Sequence, residues 1–276
     1  MGNAGRAGLV AAIATVLLAC GCSTTTTTTS SQTLTSSSSG EKTDAEKRQD
    51  ALGSYIELGL GYIGQNNRDQ ARLNLLRALE IDSRSPGANN GMALLYQLER
   101  DSARAEEYFK KALSYDRDFT QARNNYAVFL ATQKRFDEAF VQFDLASRDV
   151  NYQLRPQVFL SLGAVASKLG KTREATDAWE RALALDKELP GPYLELANMY
   201  FERGDFPEAK RYLDRHAQLA QPSARSLWLA VRLEDAFGNA DGVASKGMAL
   251  RNLFPYSREA IAYQKWVQDR GQSQFQ

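Results

Sequence analysis

The residues able to do covalent chemistry are few. The 276-residue chain has two cysteines, Cys20 and Cys22, and one histidine, His216. That leaves nothing to build a His/Cys metal site or a His-dependent nucleophile. A disulfide framework is excluded as well, because both cysteines lie near residue 20, ahead of the foldable region. No Gly-rich phosphate loop, His-Glu pair or Gly-x-Ser-x-Gly elbow is present. Paired carboxylates such as Glu106 and Glu107 read as solvated helix faces. The 34 Lys+Arg balance 33 Asp+Glu, with no dense basic block. That excludes the basic stripe of a nucleic-acid binder. No catalytic residue, metal or small-molecule substrate is expected.

The cysteines take their meaning from what surrounds them. Arg6 precedes thirteen uncharged, mostly apolar residues, Ala7 to Ala19. About 20 residues are needed to span a bilayer as a helix, so this is the length of a signal peptide's apolar region. It ends Leu17-Leu18-Ala19-Cys20-Gly21-Cys22-Ser23. Leu at −3 and Ala at −1 resemble the lipobox of bacterial lipoproteins. That resemblance implies a diacylglycerol on the thiol of Cys20, cleavage before it, and an acyl chain on the new amino group. Cys22, with Ala19 and Gly21 in the same places, is the alternative. No Asp follows either cysteine, and by the sorting rule of enteric bacteria this implies the outer membrane. Three chains exceed the two-signal threshold for stable anchoring.

Of the seventeen residues Ser23 to Ser39, all but Gln32 and Leu34 are Ser or Thr. Such a run cannot bury enough apolar surface to offset its ordering entropy. It reads as a tether whose reach, counted to Asp50, is on the order of 30 Å. The expected organisation is a signal peptide over 1–19, a tether over 20–44 and a folded domain over 45–276.

The folded domain repeats itself. Ala71, Ala105, Ala139, Ala175, Ala209 and, more weakly, Val243 head similar segments at steps of 34, 34, 36, 34 and 34. A second series runs in phase: Leu58-Gly59, Met92-Ala93, Tyr126-Ala127, Leu162-Gly163 and Leu196-Ala197. Three residues on come Tyr62, Tyr96, Leu130, Ala166 and Tyr200. Ala71, Leu75 and Ala78 share one helical stripe. Two series in one phase define the tetratricopeptide repeat (TPR) pattern. The predicted fold is all-α, a right-handed superhelical solenoid of six helix-turn-helix repeats over about 52–255. The sixth repeat is expected to be slipped by one residue, at Leu229-Ala230. A capping helix is expected over 257–269, with Ala260, Ile261, Tyr263, Trp266 and Val267 inward. Gly64, Gly170 and Gly204 are expected to close helices. Asp69, Asp101, Asp137 and Asp205 are expected near helix starts. Pro86, Pro156, Pro190 and Pro207 should occupy first turns. The two extra residues fall in 148–157. Trp179, Trp228 and Trp266 should be core, and His216, in an alanine slot, should be packed.

TPR solenoids bind extended or helical peptides in a groove lined by their leading helices. The second, fifth, ninth and twelfth positions of each repeat face it. These are Ile56, Leu60 and Ile63 in the first repeat and Asn90, Leu94 and Gln97 in the second. The third supplies Gln121, Asn124 and Val128, the fourth Gln157, Leu160 and Ala164, and the fifth Leu194, Asn198 and Phe201. Amides can bond a ligand backbone as donor and acceptor, and apolar positions between them suit an amphipathic peptide. The alternative for Ile56, Leu60 and Ile63 is burial beneath the preceding segment, Thr43 to Leu52. TPRs that grip a peptide carboxylate use Lys and Arg where this chain has Ile56 and Leu60, so that ligand class does not fit.

Three stretches are more specific than the repeat pattern. They are Arg123-Asn124-Asn125-Tyr126-Ala127-Val128-Phe129-Leu130 with Gln133 to Ala139; Arg155-Pro156-Gln157-Val158-Phe159 through Gly163; and Ala224 to Leu233 with Leu253-Phe254-Pro255-Tyr256-Ser257. With the lipobox and six repeats, they resemble the type IV pilus biogenesis and stability lipoproteins, the PilF/PilW family, from about Tyr55 onward. The resemblance implies a pilotin: an outer-membrane lipoprotein, facing the periplasm, that brings secretin subunits to that membrane and promotes their multimerisation. The long Ser/Thr tract departs from the family's shorter linker. The lipid anchor and repeats alone fit two other roles equally, a scaffold for periplasmic peptidoglycan hydrolases or proteases and an assembly factor for outer-membrane proteins.

Overall fold

The structure is a computed structural model that describes residues 42–273, with side chains to residue 270. The signal peptide, Cys20, Cys22 and the Ser/Thr tract lie outside the described residues. Among the described residues there are thirteen helices and no strand. Helices α1 (Asp44–Gly64) and α2 (Arg68–Ile81) form the first repeat, and α3 (Pro86–Leu98) and α4 (Ser102–Tyr115) the second. The third is α5 (Thr120–Thr132) with α6 (Phe136–Ser147), and the fourth is α7 (Arg155–Lys168) with α8 (Thr172–Leu185). The fifth is α9 (Pro190–Glu202) with α10 (Phe206–Leu219), and the sixth is α11 (Ala224–Ala236) with α12 (Ala240–Leu253). Helix α13 (Arg258–Ser273) follows. The chain is an all-α TPR solenoid.

One turn design joins the two helices of every repeat. The residue in the left-handed region is Asn66, Arg100, Lys134, Gly170, Gly204 and Gly238 in turn. The next backbone N–H donates to the carbonyl five residues back: Asn67 to Tyr62, Asp101 to Tyr96, Arg135 to Leu130, Lys171 to Ala166, Asp205 to Tyr200 and Asn239 to Glu234, at 2.8–3.0 Å. This is the Schellman closure, which satisfies carbonyls orphaned at a helix end. Gly64 does not serve it. It is the last residue of α1, and Asn66 takes the positive φ of 56°. The following helix starts immediately, with Asn67, Asp101, Asp205 and Asn239 as side-chain N-caps. Asp69 and Asp137 lie in first turns. The four prolines stand in first turns as their missing N–H requires.

The core follows the two series. Ala71, Ala105, Ala139, Ala175 and Ala209 are buried, as are Met92, Tyr126, Leu162 and Leu196. Leu58 holds the same place in the first repeat but is 49% exposed; among the described residues no helix precedes α1 to cover it. Small residues let paired helices approach: a Cβ on Gly163 would sit 2.4 Å from Trp179 Nε1, whose N–H donates to the Leu160 carbonyl at 3.3 Å. The extra residues lie in the connector 148–154, where other repeats are joined by four residues. Asp149 ties it down, accepting from the Thr120 hydroxyl at 2.6 Å and the Asn151 N–H at 3.0 Å.

The sixth repeat is not slipped. Helix α11 starts 34 residues after α9 and has the same 13 residues. Instead, two sizes are exchanged. Val231, fully buried, stands where other repeats have Gly or Ala, and Gly247 stands where they have Leu, Phe or Trp. Tyr263 of α13 takes up the space beside Gly247, where a Cβ would come 2.1 Å from its ring. Ala260 and Tyr263 are buried and Trp266 packs edge-on to Trp228. Ile261 and Val267, expected inward, are 59% and 45% exposed, because α13 packs on one side only.

Candidate partner-binding groove

The leading helices α1, α3, α5 and α7 place an apolar row along their exposed face. Their ninth positions are Leu60, Leu94, Val128 and Ala164, 34, 34 and 36 residues apart. Leu60 and Leu94 are half-buried, Val128 is 40% exposed and Ala164 is exposed. The side chains shrink from Leu to Ala along the row. Gln121 and Gln157 are exposed, and Ile63, Gln97 and Asn124 half-exposed beside it. The segment Thr43 to Leu52 does not cover Ile56, Leu60 and Ile63: from Asp44 it runs into them as one helix.

Several expected groove residues point elsewhere. Asn90 is 1% exposed, and its carbonyl oxygen accepts from Asn125 Nδ2 at 3.2 Å. It ties the second repeat to the third and offers nothing to a ligand. Leu194 is 7% exposed, and Asn198 donates to the Leu194 carbonyl at 2.8 Å. Ile56 and Leu160 are wedged against the next leading helix, beside Gly87 and Gly191, where a Cβ would come within 3.2 Å and 2.6 Å of their methyls.

Beyond the fourth repeat the groove chemistry changes. Arg225 pairs with Glu195 at 2.9 Å, Arg232 with Glu202 at 2.7 Å, and Arg270 with Asp235 at 2.5 Å. Arg232 also lies over the Phe201 ring at 4.1 Å. Each pair joins consecutive leading helices, or α11 to α13, and uses polar positions that would otherwise meet a ligand. Opposite charges about 30 residues apart are the sequence signal for these pairs, and the repeat pattern alone does not flag them.

A second ionic group braces repeats two and three at the turn end. Arg135 bonds Glu106 and Glu138, each at 2.6 Å, and the Tyr126 hydroxyl donates to Glu106 at 3.0 Å. The Arg135 guanidinium holds the Glu106 carboxyl down at about 2, and burial pushes the Tyr126 phenol up to about 12. Arg72 spans the preceding joint, giving both Glu99 oxygens a bond at 2.6 Å. Among the described residues no cluster of three His, Cys, Asp or Glu side chains could hold a metal ion.

Comparison with known proteins agrees with this architecture. The tetratricopeptide repeat family pattern matches residues 91–152 and 160–224. The type IV pilus assembly protein PilF of Pseudomonas aeruginosa is 38% identical over 223 residues, 81% of this chain and 88% of its own. The chain belongs to the PilF family. The solved Pseudomonas aeruginosa PilF structure superposes with a TM-score of 0.75 at 37% identity, covering 79% of this chain and 99% of that one. PilW, described as a widely conserved type IV pilus biogenesis factor, superposes with a TM-score of 0.68 at 27% identity, covering 76% and 97%. The solenoid, its six turns and its C-terminal helix are thus carried by a PilF-family chain.

Proposed function

We propose that this protein is a pilotin of type IV pilus biogenesis: an outer-membrane lipoprotein that captures secretin subunits and promotes their multimerisation there. The observation that carries the reading is the apolar row Leu60, Leu94, Val128 and Ala164, confined to repeats one to four of a PilF-family solenoid. An amphipathic secretin segment lays its apolar side chains along that row, while Gln97, Gln121 and Asn124 bond its backbone. Acylation at Cys20, or alternatively Cys22, fixes the chain to the inner leaflet of the outer membrane. The Ser/Thr tether lets the solenoid search for secretin monomers before the ring forms. The role requires binding and release, and no cofactor or catalysis.

The test removes the anchor and leaves the solenoid intact. In a Cys20→Ala, Cys22→Ala double variant, secretin should remain in the inner membrane or stay monomeric. Normal secretin rings in the outer membrane would overturn the proposal. Co-purification separates the competing roles: a pilotin brings down secretin, a hydrolase scaffold brings down amidases or proteases.

A further inference from the structure

The groove of repeats one to four is free of charge. None of its second, fifth, ninth or twelfth positions carries an ionised residue, in a chain that is 24% charged. Charges enter these places only in the sixth repeat, as Arg225, Arg232 and Asp235, and all three are ion-paired. A charged side chain laid along the first four repeats would lose water and meet no counter-charge, which is costly. The groove therefore favours an uncharged stretch of its partner.

Four amides flank the apolar row. By their places in the leading helices, Gln121, Asn124 and Gln157 lie on its connector side and Gln97 on its turn side. None of these side chains has a hydrogen-bond partner among the described residues, whereas Asn90, Asn125 and Asn198 are bonded within the fold. An amide covered by a ligand needs a donor or acceptor in return. A helical ligand keeps its backbone groups to itself, and an extended one offers them. The pitch of the row then separates the extended forms. Consecutive leading helices pack side by side, and packed helices lie about 8–10 Å apart. Asn90 bonded to Asn125 at 3.2 Å, and Ile56 against Gly87, mark two close joints. Side chains on one face of a β-strand recur about every 6.6 Å and fall out of step with the repeats. In polyproline II every third residue shares a face and recurs about every 9.3 Å, one for each repeat.

We propose that the groove binds an uncharged polyproline II segment of about ten residues, with an apolar side chain at every third position. Its four apolar side chains meet Leu60, Leu94, Val128 and Ala164 in turn, and its backbone bonds the flanking amides. Because the row shrinks toward Ala164, the largest of the four sits there. This inference gives the chemistry of the captured segment, and rests on the pilotin reading only for the segment's source in secretin.

Full-length protein in detergent is titrated with dye-labelled, end-capped peptides and read by fluorescence anisotropy. A decapeptide with leucine or valine at its first, fourth, seventh and tenth positions, and proline, serine or glutamine between, should bind saturably. The same composition shuffled to put the apolar residues at alternate positions should bind roughly tenfold more weakly. Asp at a middle apolar position should weaken binding at least as much. Asn124→Leu and Gln121→Met each remove one amide, and each should cost roughly tenfold, the loss of about one hydrogen bond. Val128→Glu should abolish binding. The rival ligand is a helix of about 22 residues with apolar side chains seven apart. Tighter binding of that helix, equal binding of the two decapeptides, or no binding of the first at about 1 mM would overturn the inference. So would two amide variants that bind as the unaltered protein does. Secretin capture is scored on the same preparations. Capture without decapeptide binding overturns the inference and leaves the pilotin reading, whereas decapeptide binding without capture supports the inference and sinks that reading.

Discussion

Single side chains in this protein divide into those that lock repeats together and those left free. Glu106 is of the first kind. Its carboxyl titrates near 2 when folded because Arg135, Lys110 and Tyr126 bond it, against about 4.3 for an unperturbed glutamate. The unfolded chain therefore takes up this proton first as pH falls. The stabilisation is complete above about pH 5 and gone near pH 2. Glu106→Gln should lower unfolding free energy by roughly 1 kcal/mol at pH 7, allowing for solvent screening of a partly exposed pair. Urea titrations should show that difference vanish near pH 2, and a constant difference across the range would refute the assignment. Val128 is of the second kind. At 40% exposed, Val128→Glu should change the melting point little, within about 0.5 kcal/mol. It should nonetheless abolish the capture of secretin proposed above, and unchanged co-purification would remove Val128 from the groove.

Elements are set by their ends and by close approaches. The six phased turns all need a left-handed residue, and half of them supply one that is not glycine. Gly170→Ala, at φ 71°, should cost about 1 kcal/mol. Lys134→Gly, at φ 61°, should gain a few tenths of a kcal/mol as strain is relieved, offset in part by the greater entropy of the unfolded glycine. Thermal melts of the two variants should move in opposite directions. Within the fourth repeat, Gly163→Ala puts a methyl against the Trp179 ring. The resulting overpacking should destabilise by about 1–3 kcal/mol, and an unchanged melting point would show that α7 and α8 separate freely.

At the scale of the whole molecule, a solenoid is a chain of neighbour contacts with two ends. The first end is managed by length: α1 has 21 residues where other leading helices have 13 or 14. The last is managed by α13, which covers Trp228, Val231 and Leu250. Ending the chain after Tyr256 should uncover that cluster. Size-exclusion chromatography should then show self-association, and the melt should broaden as the sixth repeat frays. A sharp, monomeric melt would show that the sixth repeat closes the array without help.

The chain's sequence determined the repeat period, the helix pairs and the small-against-large packing between them. Each of these is a local or nearest-neighbour property, and the repeat states it at five successive steps, four of 34 residues and one of 36. The signal-like start, the lipobox and the tether are local readings too, of residues outside those described. The sequence could not tell Asn90 from Asn124, which occupy equivalent places, because one amide is consumed by Asn125 across the repeat joint and the other is not. Nor could it show that Gly247 is filled by Tyr263, that Arg232 lies over Phe201, or that His216 keeps a buried nitrogen without a partner. Those outcomes depend on side chains about 16 to 35 residues apart meeting in space. Only the stacking of the repeats decides which of them meet, because stacking sets the distances.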